Sequence, residues 1–140
     1  MLRSAIACFM LAFVGIAQAQ TSISIDVVLN QPDAGGTLRL VLCADGASYA
    51  SERGCVLKYG KAIGPIVHLQ FPGISPGTYA VKVFHDVNDN GVLDTNWIGI
   101  PKEPYGFSND AMGTFGPPSF EQASFKVGAG TNAVRIRMKG

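Results

Sequence analysis

The sequence carries little charge: 15% of its 140 residues are Asp, Glu, Lys or Arg, and the formal net charge is +1. A chain with this balance has no long-range electrostatic attraction for nucleic acid or for an anionic membrane surface. It also lacks an apolar run of the about 20 residues that a transmembrane helix needs. A hydrophobic content of 47% is nevertheless too high for a disordered chain, so we expect a globular domain.

The longest apolar run lies at the start of the chain. A basic residue, Arg3, precedes it, and Ala17-Gln18-Ala19 has the small residues of a cleavage site. We therefore predict that residues 1–19 are a secretory signal peptide, with a membrane anchor as the alternative. Residues 20–140 are then one domain, exported to the periplasm or the extracellular space of a bacterium.

Cysteines are few. Cys8 lies inside the predicted signal peptide, which leaves Cys43 and Cys55 in the mature chain. These two form no C-x-x-C pair and have no His nearby in the sequence, so a metal site is a weak alternative. An even number of cysteines in an exported chain favours a disulfide. We predict that Cys43 and Cys55 are joined.

Long amphipathic helices are missing too, whereas strict alternation of apolar and polar residues recurs along the chain. The clearest such segments are 23–29, 38–42, 67–71, 79–83, 125–127 and 134–138, with 55–59 as a weaker seventh. Period two over so many segments predicts half-buried strands, and the 17 Gly and 8 Pro supply turns between them. We predict an all-β domain built as an antiparallel β-sandwich.

One segment, residues 85–122, shows little alternation of apolar and polar residues, which predicts a single long loop. Loops of this length in a compact domain are usually functional or disordered, and the aromatic residues in this one argue against disorder. Three of them are candidates for a platform that stacks on a sugar or a peptide: Trp97, Tyr105 and Phe107. The alternative is that they form the loop's own small core.

The long loop begins with a motif typical of calcium sites. Its spacing matches D-x-[DN]-x-[DN]-G, with Gly91 at the sharp turn. Calcium prefers six to eight oxygen ligands, which alternate residues of a tight loop can supply. The predicted ligands are Asp86, Asn88, Asn90, Asp94 and the carbonyl of Val92.

The match to a calcium loop is incomplete. Trp97 stands where an EF-hand has its bidentate Glu, and no helices flank the motif. His85 and Glu103 are candidates for additional ligands, and we expect any calcium binding to be weak. The alternative is a purely structural turn whose Asp and Asn side chains bind backbone amides.

Three functions stay open at this point. The first is a non-enzymatic binding module whose loop, ordered by calcium, contacts a protein or a glycan. The second is a hydrolase that uses His85 as general base with the loop carboxylates Asp86, Asp94 and Glu103. The third is a structural protein of the cell envelope whose loop needs no ligand.

Two stretches resemble a known family. They are H-D-V-N-D-N-G-V-L-D-T-N-W-I-G-I-P-K-E-P-Y-G-F-S-N and the later G-P-P-S-F-E-Q-A-S-F. The chain resembles, from about Ile23 to Met138, a family of small exported bacterial proteins catalogued as a domain of unknown function (number 2141). The resemblance implies an immunoglobulin-like or transthyretin-like sandwich, and it implies no activity, because the family has none assigned.

Overall fold

The computed structural model describes residues 10–15 and 20–140. The predicted signal peptide, residues 1–19, therefore lies mostly outside the described residues, as does Cys8. Among the helices of the described part, none is long and apolar enough to cross a membrane.

Eight strands form the framework of residues 20–140, joined by turns, short helices and a long connection between β5 and β6. The strands are β1 (Ser22–Val28), β2 (Thr37–Cys43), β3 (Val56–Lys61), β4 (Ile66–Pro72), β5 (Gly77–Asp86), β6 (Tyr105–Phe107), β7 (Phe125–Val127) and β8 (Thr131–Arg137). The helices are α1 (Gly46–Ser51) and α2 (Phe120–Ala123), with a 3₁₀ turn over Ser108–Asp110. All seven segments predicted as strands are strands in the structure.

The strands form two sheets, which confirms the predicted all-β sandwich. The first sheet has the order β4-β1-β8, and the second has the order β3-β2-β5-β6, with β7 paired to the start of β5. Every pair is antiparallel except β1 with β8, which runs parallel. A parallel pair needs a long crossover connection, and here nearly the whole domain lies between β1 and β8.

The hydrophobic core lies between the two sheets and explains the alternation in the sequence. Every second residue of β1 is fully buried, and the facing strands contribute in the same way. The core includes Ile23, Ile25, Val27, Leu38, Leu40, Leu42, Phe71, Val81, Val83 and Ile136.

The predicted disulfide is present: Cys43 and Cys55 are bonded, twelve positions apart in the sequence. It joins the end of β2 to the residue before β3 and so closes the segment that contains α1. Cys43 belongs to a second, smaller apolar cluster with Tyr49, Ala80, Phe107 and Ala123.

The prediction of one long loop over residues 85–122 was wrong. Strand β5 continues to Asp86, and β6 pairs with β5 through three residues, a length too short to show alternation. The helix α2 has only four residues and begins with a Ser119–Gln122 capping box. The segment therefore contains two separate connections, 87–104 and 111–119.

Candidate functional site

The last two residues of β5 place their side chains on opposite faces of the sheet. His85 points into the sandwich, in the same parity as Val81 and Val83, and Asp86 points to the outer face. Both are fully buried, because the connection 87–104, hereafter the presenting loop, folds over the end of the strand. The loop thus begins at a carboxylate that has no contact with solvent.

The Asp86 carboxylate is bound from two sides. Arg39, on the neighbouring strand β2, donates from Nε to Oδ2 at 2.6 Å. The presenting loop turns back so that the backbone N–H of Asn90 donates to Oδ1 at 3.1 Å and that of Gly91 to Oδ2 at 2.8 Å. A single side chain therefore ties the first turn of the loop to the sheet.

These contacts also decide the ionisation of Asp86. Burial of the carboxyl raises its pKa, but the hydrogen bonds from Arg39, Gly91 and Asn90 and the charge of Arg39 lower it by more. The pKa of Asp86 consequently lies below its usual value of 3.8. The carboxyl is ionised at neutral pH, where it neutralises the guanidinium beside it.

Two glycines allow the loop to approach the sheet this closely. Gly36, in the turn between β1 and β2, has a φ of +77°, and a Cβ added there would lie 2.2 Å from the carbonyl oxygen of Asp86. Gly91 has a φ of +86°, in the left-handed region that favours glycine. The prediction of a sharp turn at Gly91 is confirmed.

A second buried carboxylate holds the far part of the presenting loop. Glu103 accepts from the backbone N–H of Val87 through Oε1 and from that of Asp94 through Oε2, each at 3.0 Å. It is 7% exposed, so both bonds lie largely away from water. Glu103 therefore bridges the two ends of the acidic motif, and both of its oxygens are engaged by backbone amides.

The other predicted ligands meet at the exposed side of the motif. Asn88 donates from Nδ2 to Asp94 Oδ2 at 2.6 Å, and Asn90 donates from Nδ2 to both Asp94 oxygens at 2.8 and 3.0 Å. The carboxamide oxygens of both Asn residues accept backbone N–H groups of the loop. In this arrangement the amide hydrogens compensate the charge of Asp94.

The predicted metal set is therefore divided. Asp86 is paired with Arg39 inside the protein, whereas Asn88, Asn90 and Asp94 form a separate surface cluster. Within residues 10–15 and 20–140, no three His, Cys, Asp or Glu side chains lie close enough together to hold a metal ion. Val92 is exposed, beyond the turn at Gly91.

His85 is buried and hydrogen-bonded rather than open to a substrate. Its Nε2 lies within hydrogen-bond distance of the Gly35 carbonyl, which can only accept, so Nε2 carries the proton. Among the described residues, Nδ1 has no hydrogen-bond partner. His85 thus braces the turn that contains Gly35 and Gly36, against which the presenting loop packs.

The structure does not bring the three predicted platform aromatics together. Tyr105 and Phe107 make an edge-to-face pair with ring centroids 6.0 Å apart and pack with the second apolar cluster. Trp97 instead stands 94% exposed, and Ile98 and Ile100 beside it are more than half exposed. We call residues 95–101, which carry these side chains, the loop tip.

The loop tip is a closed turn with its own hydrogen bonds. The backbone N–H groups of Ile98 and Ile100 both donate to Asn96 Oδ1, at 3.1 and 3.0 Å. The N–H of Asn96 donates to the Ile100 carbonyl at 2.9 Å, and Thr95 and Pro101 form an antiparallel bridge. The turn therefore holds its apolar side chains outward in a defined arrangement.

Sequence reasoning missed two residues of this site. Arg39 is the one charged residue in the apolar strand T-L-R-L-V-L-C, and that contrast was the available signal for a buried partner. Gly36 shares its turn with Gly35, and nothing in the sequence separates a glycine required by close packing from one that merely makes a turn.

We expect Asp86→Asn to lower the free energy of unfolding by about 3 kcal/mol at neutral pH, because Arg39 loses its counter-charge in a largely buried site. The matched control is Asp94→Asn, which removes a partly exposed carboxylate of the same loop and should cost less than about 1 kcal/mol. Urea unfolding of both variants measures the two values. Equal losses would contradict the anchoring role of Asp86.

A comparison of the wild-type protein with Asp86→Asn also tests a pH dependence. Because the pKa of Asp86 is lowered in the folded state, its contribution to stability is present above its ordinary pKa of 3.8 and is lost as the pH falls through the lowered value. The difference in unfolding free energy between wild type and Asp86→Asn should therefore be largest near neutral pH and shrink as the pH falls below the ordinary pKa of 3.8. A difference that stays constant down to pH 2 would contradict this assignment.

Comparison with known proteins identifies a family for the chain. No curated protein and no solved structure matches the chain. One family model, described as an uncharacterized protein conserved in bacteria (DUF2141), matches residues 27–135, which include strands β2 to β7, the whole presenting loop and parts of β1 and β8. The chain therefore belongs to this uncharacterized bacterial family.

Proposed function

We propose that the protein is an exported, non-enzymatic binding module that uses the presenting loop to hold the loop tip against a partner. One observation carries the proposal: Trp97 is 94% exposed at the end of a loop whose base is fixed by two buried carboxylates. The disulfide between Cys43 and Cys55 supports export, since such bonds persist in oxidising compartments.

The apolar side chains of the loop tip are exposed although the turn that carries them is ordered by its own hydrogen bonds. A large apolar side chain on a rigid turn keeps its unfavourable contact with water, whereas the same side chain on a mobile turn could fold back. Binding to a partner would remove that contact at little cost in conformational entropy, because the turn is already ordered. Such preorganised aromatic residues are typical of binding sites.

The proposal predicts that Trp97 becomes shielded in the cell envelope. Because it is the only Trp in the chain, replacing it biosynthetically by 5-hydroxytryptophan, which is excited at longer wavelength than Trp, gives a fluorescence signal from the loop tip alone even among other proteins. Adding the envelope fraction of a bacterium that encodes this chain should reduce quenching of Trp97 by acrylamide. The matched control is the double variant Trp97→Phe, Phe115→Trp, which moves the reporter to a fully exposed position in the other connection.

The binding module is supported if the envelope fraction reduces acrylamide quenching at position 97 in the wild-type protein but not at position 115 in the control variant. Equal quenching with and without the envelope fraction would contradict it. The presenting loop would then be self-sufficient structure, as in a purely structural envelope protein.

We propose in addition that the acidic motif binds calcium weakly. The supporting observation is that Asn88, Asn90 and Asp94 already meet at one point on the surface. Half a turn of each carboxamide would present Oδ1 there, the kind of ligand that calcium prefers. The rotation would break the bonds that these oxygens accept from the backbone N–H groups of Asn90 and Val92, and this cost weakens binding. The Arg39 charge on Asp86 would keep the affinity low, in the range of about 10⁻⁴–10⁻³ M found for extracellular modules.

Thermal unfolding tests the calcium site. At about 100 times its Kd, an ion that binds only the folded state adds about 2.7 kcal/mol, which raises the melting midpoint by several degrees in a domain of this size. We expect this rise with calcium relative to EDTA, and its loss in Asp94→Ala. Identical midpoints in calcium and in EDTA would contradict the site and leave the binding module untouched.

The hydrolase alternative has less support. A general base must reach its substrate, and His85 and Asp86 are fully buried while Glu103 is nearly so. Asp94 is the one partly exposed carboxylate of the predicted set, and it is held by two Asn side chains.

A further inference from the structure

We infer that the partner of the loop tip is a lipid bilayer, into whose interfacial region Trp97, Ile98 and Ile100 insert. The inference rests on the proposed binding function of the same tip and names the class of its partner. A bilayer differs from the protein or glycan partner expected from the sequence. The inference starts from the hydrogen bonds that the loop tip makes to its own backbone N–H groups.

The first observation concerns backbone hydrogen bonds. In an apolar medium each N–H group needs a partner within the protein, because water is absent. At the loop tip the N–H groups of Ile98 and Ile100 bind Asn96 Oδ1, and those of Asn96 and Gly99 bind carbonyls of the same turn. Pro101 has no N–H to satisfy. These four donors can therefore leave water. The N–H groups of Thr95 and Trp97 make no bond within the described residues, so they need water or headgroup oxygen, which places the tip in the interfacial region and not in the acyl core.

The second observation concerns the side chains. Residues 95–101 read T-N-W-I-G-I-P and contain no charged residue. Charge begins on either side, with Asp94 before the tip and Lys102 after it. The Lys102 side chain is exposed, so it could stay among the lipid headgroups while the tip lies deeper. Trp is the residue that membrane proteins concentrate at this boundary.

The third observation separates a bilayer from the other partners. Recognition of a glycan or a peptide needs polar groups aimed at the ligand. The Asn96 oxygen, the one side-chain carbonyl in the tip, is already used by two backbone amides. The polar groups left for a ligand are three uncharged ones: the Thr95 hydroxyl, the Asn96 Nδ2 group and the Trp97 indole N–H. Most of the exposed side-chain surface of the tip is instead apolar, on Trp97, Ile98 and Ile100, and the three polar groups can bind lipid headgroups, so the tip suits the interfacial region of a bilayer. Because the tip is uncharged, the attraction needs no anionic lipid, in agreement with the balanced charge of the chain.

The test uses the purified protein and vesicles of phosphatidylcholine, with a second set containing phosphatidylglycerol. Insertion should shift the emission of Trp97 to shorter wavelength in both sets, in EDTA, and sodium chloride should change the apparent affinity little. Brominated lipids should quench the fluorescence, since the indole would lie within the boundary of headgroups and acyl chains.

Variants locate the contact. Ile98→Ser together with Ile100→Ser keeps the Trp97 reporter and should weaken vesicle binding about tenfold or more, because two large apolar side chains no longer leave water. The matched control is Phe115→Ser, which removes a fully exposed aromatic from the other connection and should bind as wild type does. All three positions are exposed, so equal melting midpoints will confirm that each variant is folded.

Each other outcome overturns the inference in a recognisable way. Shielding of Trp97 by the envelope fraction without any response to vesicles would leave the binding module intact and make its partner a protein or a glycan. No response to either would remove both proposals. Binding restricted to anionic vesicles and abolished by salt, or equal loss in Phe115→Ser, would show that the apolar tip is not the contact.

Discussion

The ion pair between Arg39 and Asp86 is the interaction on which the rest of the site depends. It joins two neighbouring strands of the second sheet at the place where β5 ends, and the same carboxylate accepts the backbone amides of Asn90 and Gly91. Without that carboxylate, the first turn of the presenting loop would have no bond to the sheet through these amides. The position is possible only because Gly36 leaves room for the chain at Asp86.

Beyond this ion pair, three further sets of hydrogen bonds order the presenting loop. Glu103 ties the two ends of the acidic motif together, the Asn and Asp side chains close the motif on its exposed side, and Asn96 closes the loop tip. Each set satisfies backbone amides with side chains, which is how an irregular segment becomes rigid without strands of its own. The result is an ordered support for three exposed apolar residues, and this contrast is the basis of the proposed binding function and of the inferred contact with a bilayer.

The sandwich could be predicted from the sequence because alternation of apolar and polar residues is a local pattern that recurs in several strands. Ile23, Ile25 and Val27 alternate with polar residues, and the burial of β1 follows that alternation. The strand β6 has only three residues, too few to show a periodic pattern. The parallel pairing of β8 with β1 is a long-range contact, and the sequence of either strand alone does not show its partner. At the site, the Asx-rich turn was recognised by spacing, but the partner of Asp86 was not, since Arg39 is 47 positions away. The sequence left the exposure of Trp97 open between a stacking platform and a buried loop core, because an aromatic residue in a loop is more often buried than exposed.

Amide hydrogen exchange measures the central claim most directly. In calcium-free buffer with EDTA, we expect the amides of Asn90 and Gly91 to exchange at least about a hundredfold more slowly than in an unstructured chain, because the Asp86 carboxylate holds both. Protection of this size in a surface loop, and its loss in Asp86→Asn, would establish the anchor. Exchange of both amides at the unstructured rate in the wild-type protein would contradict it.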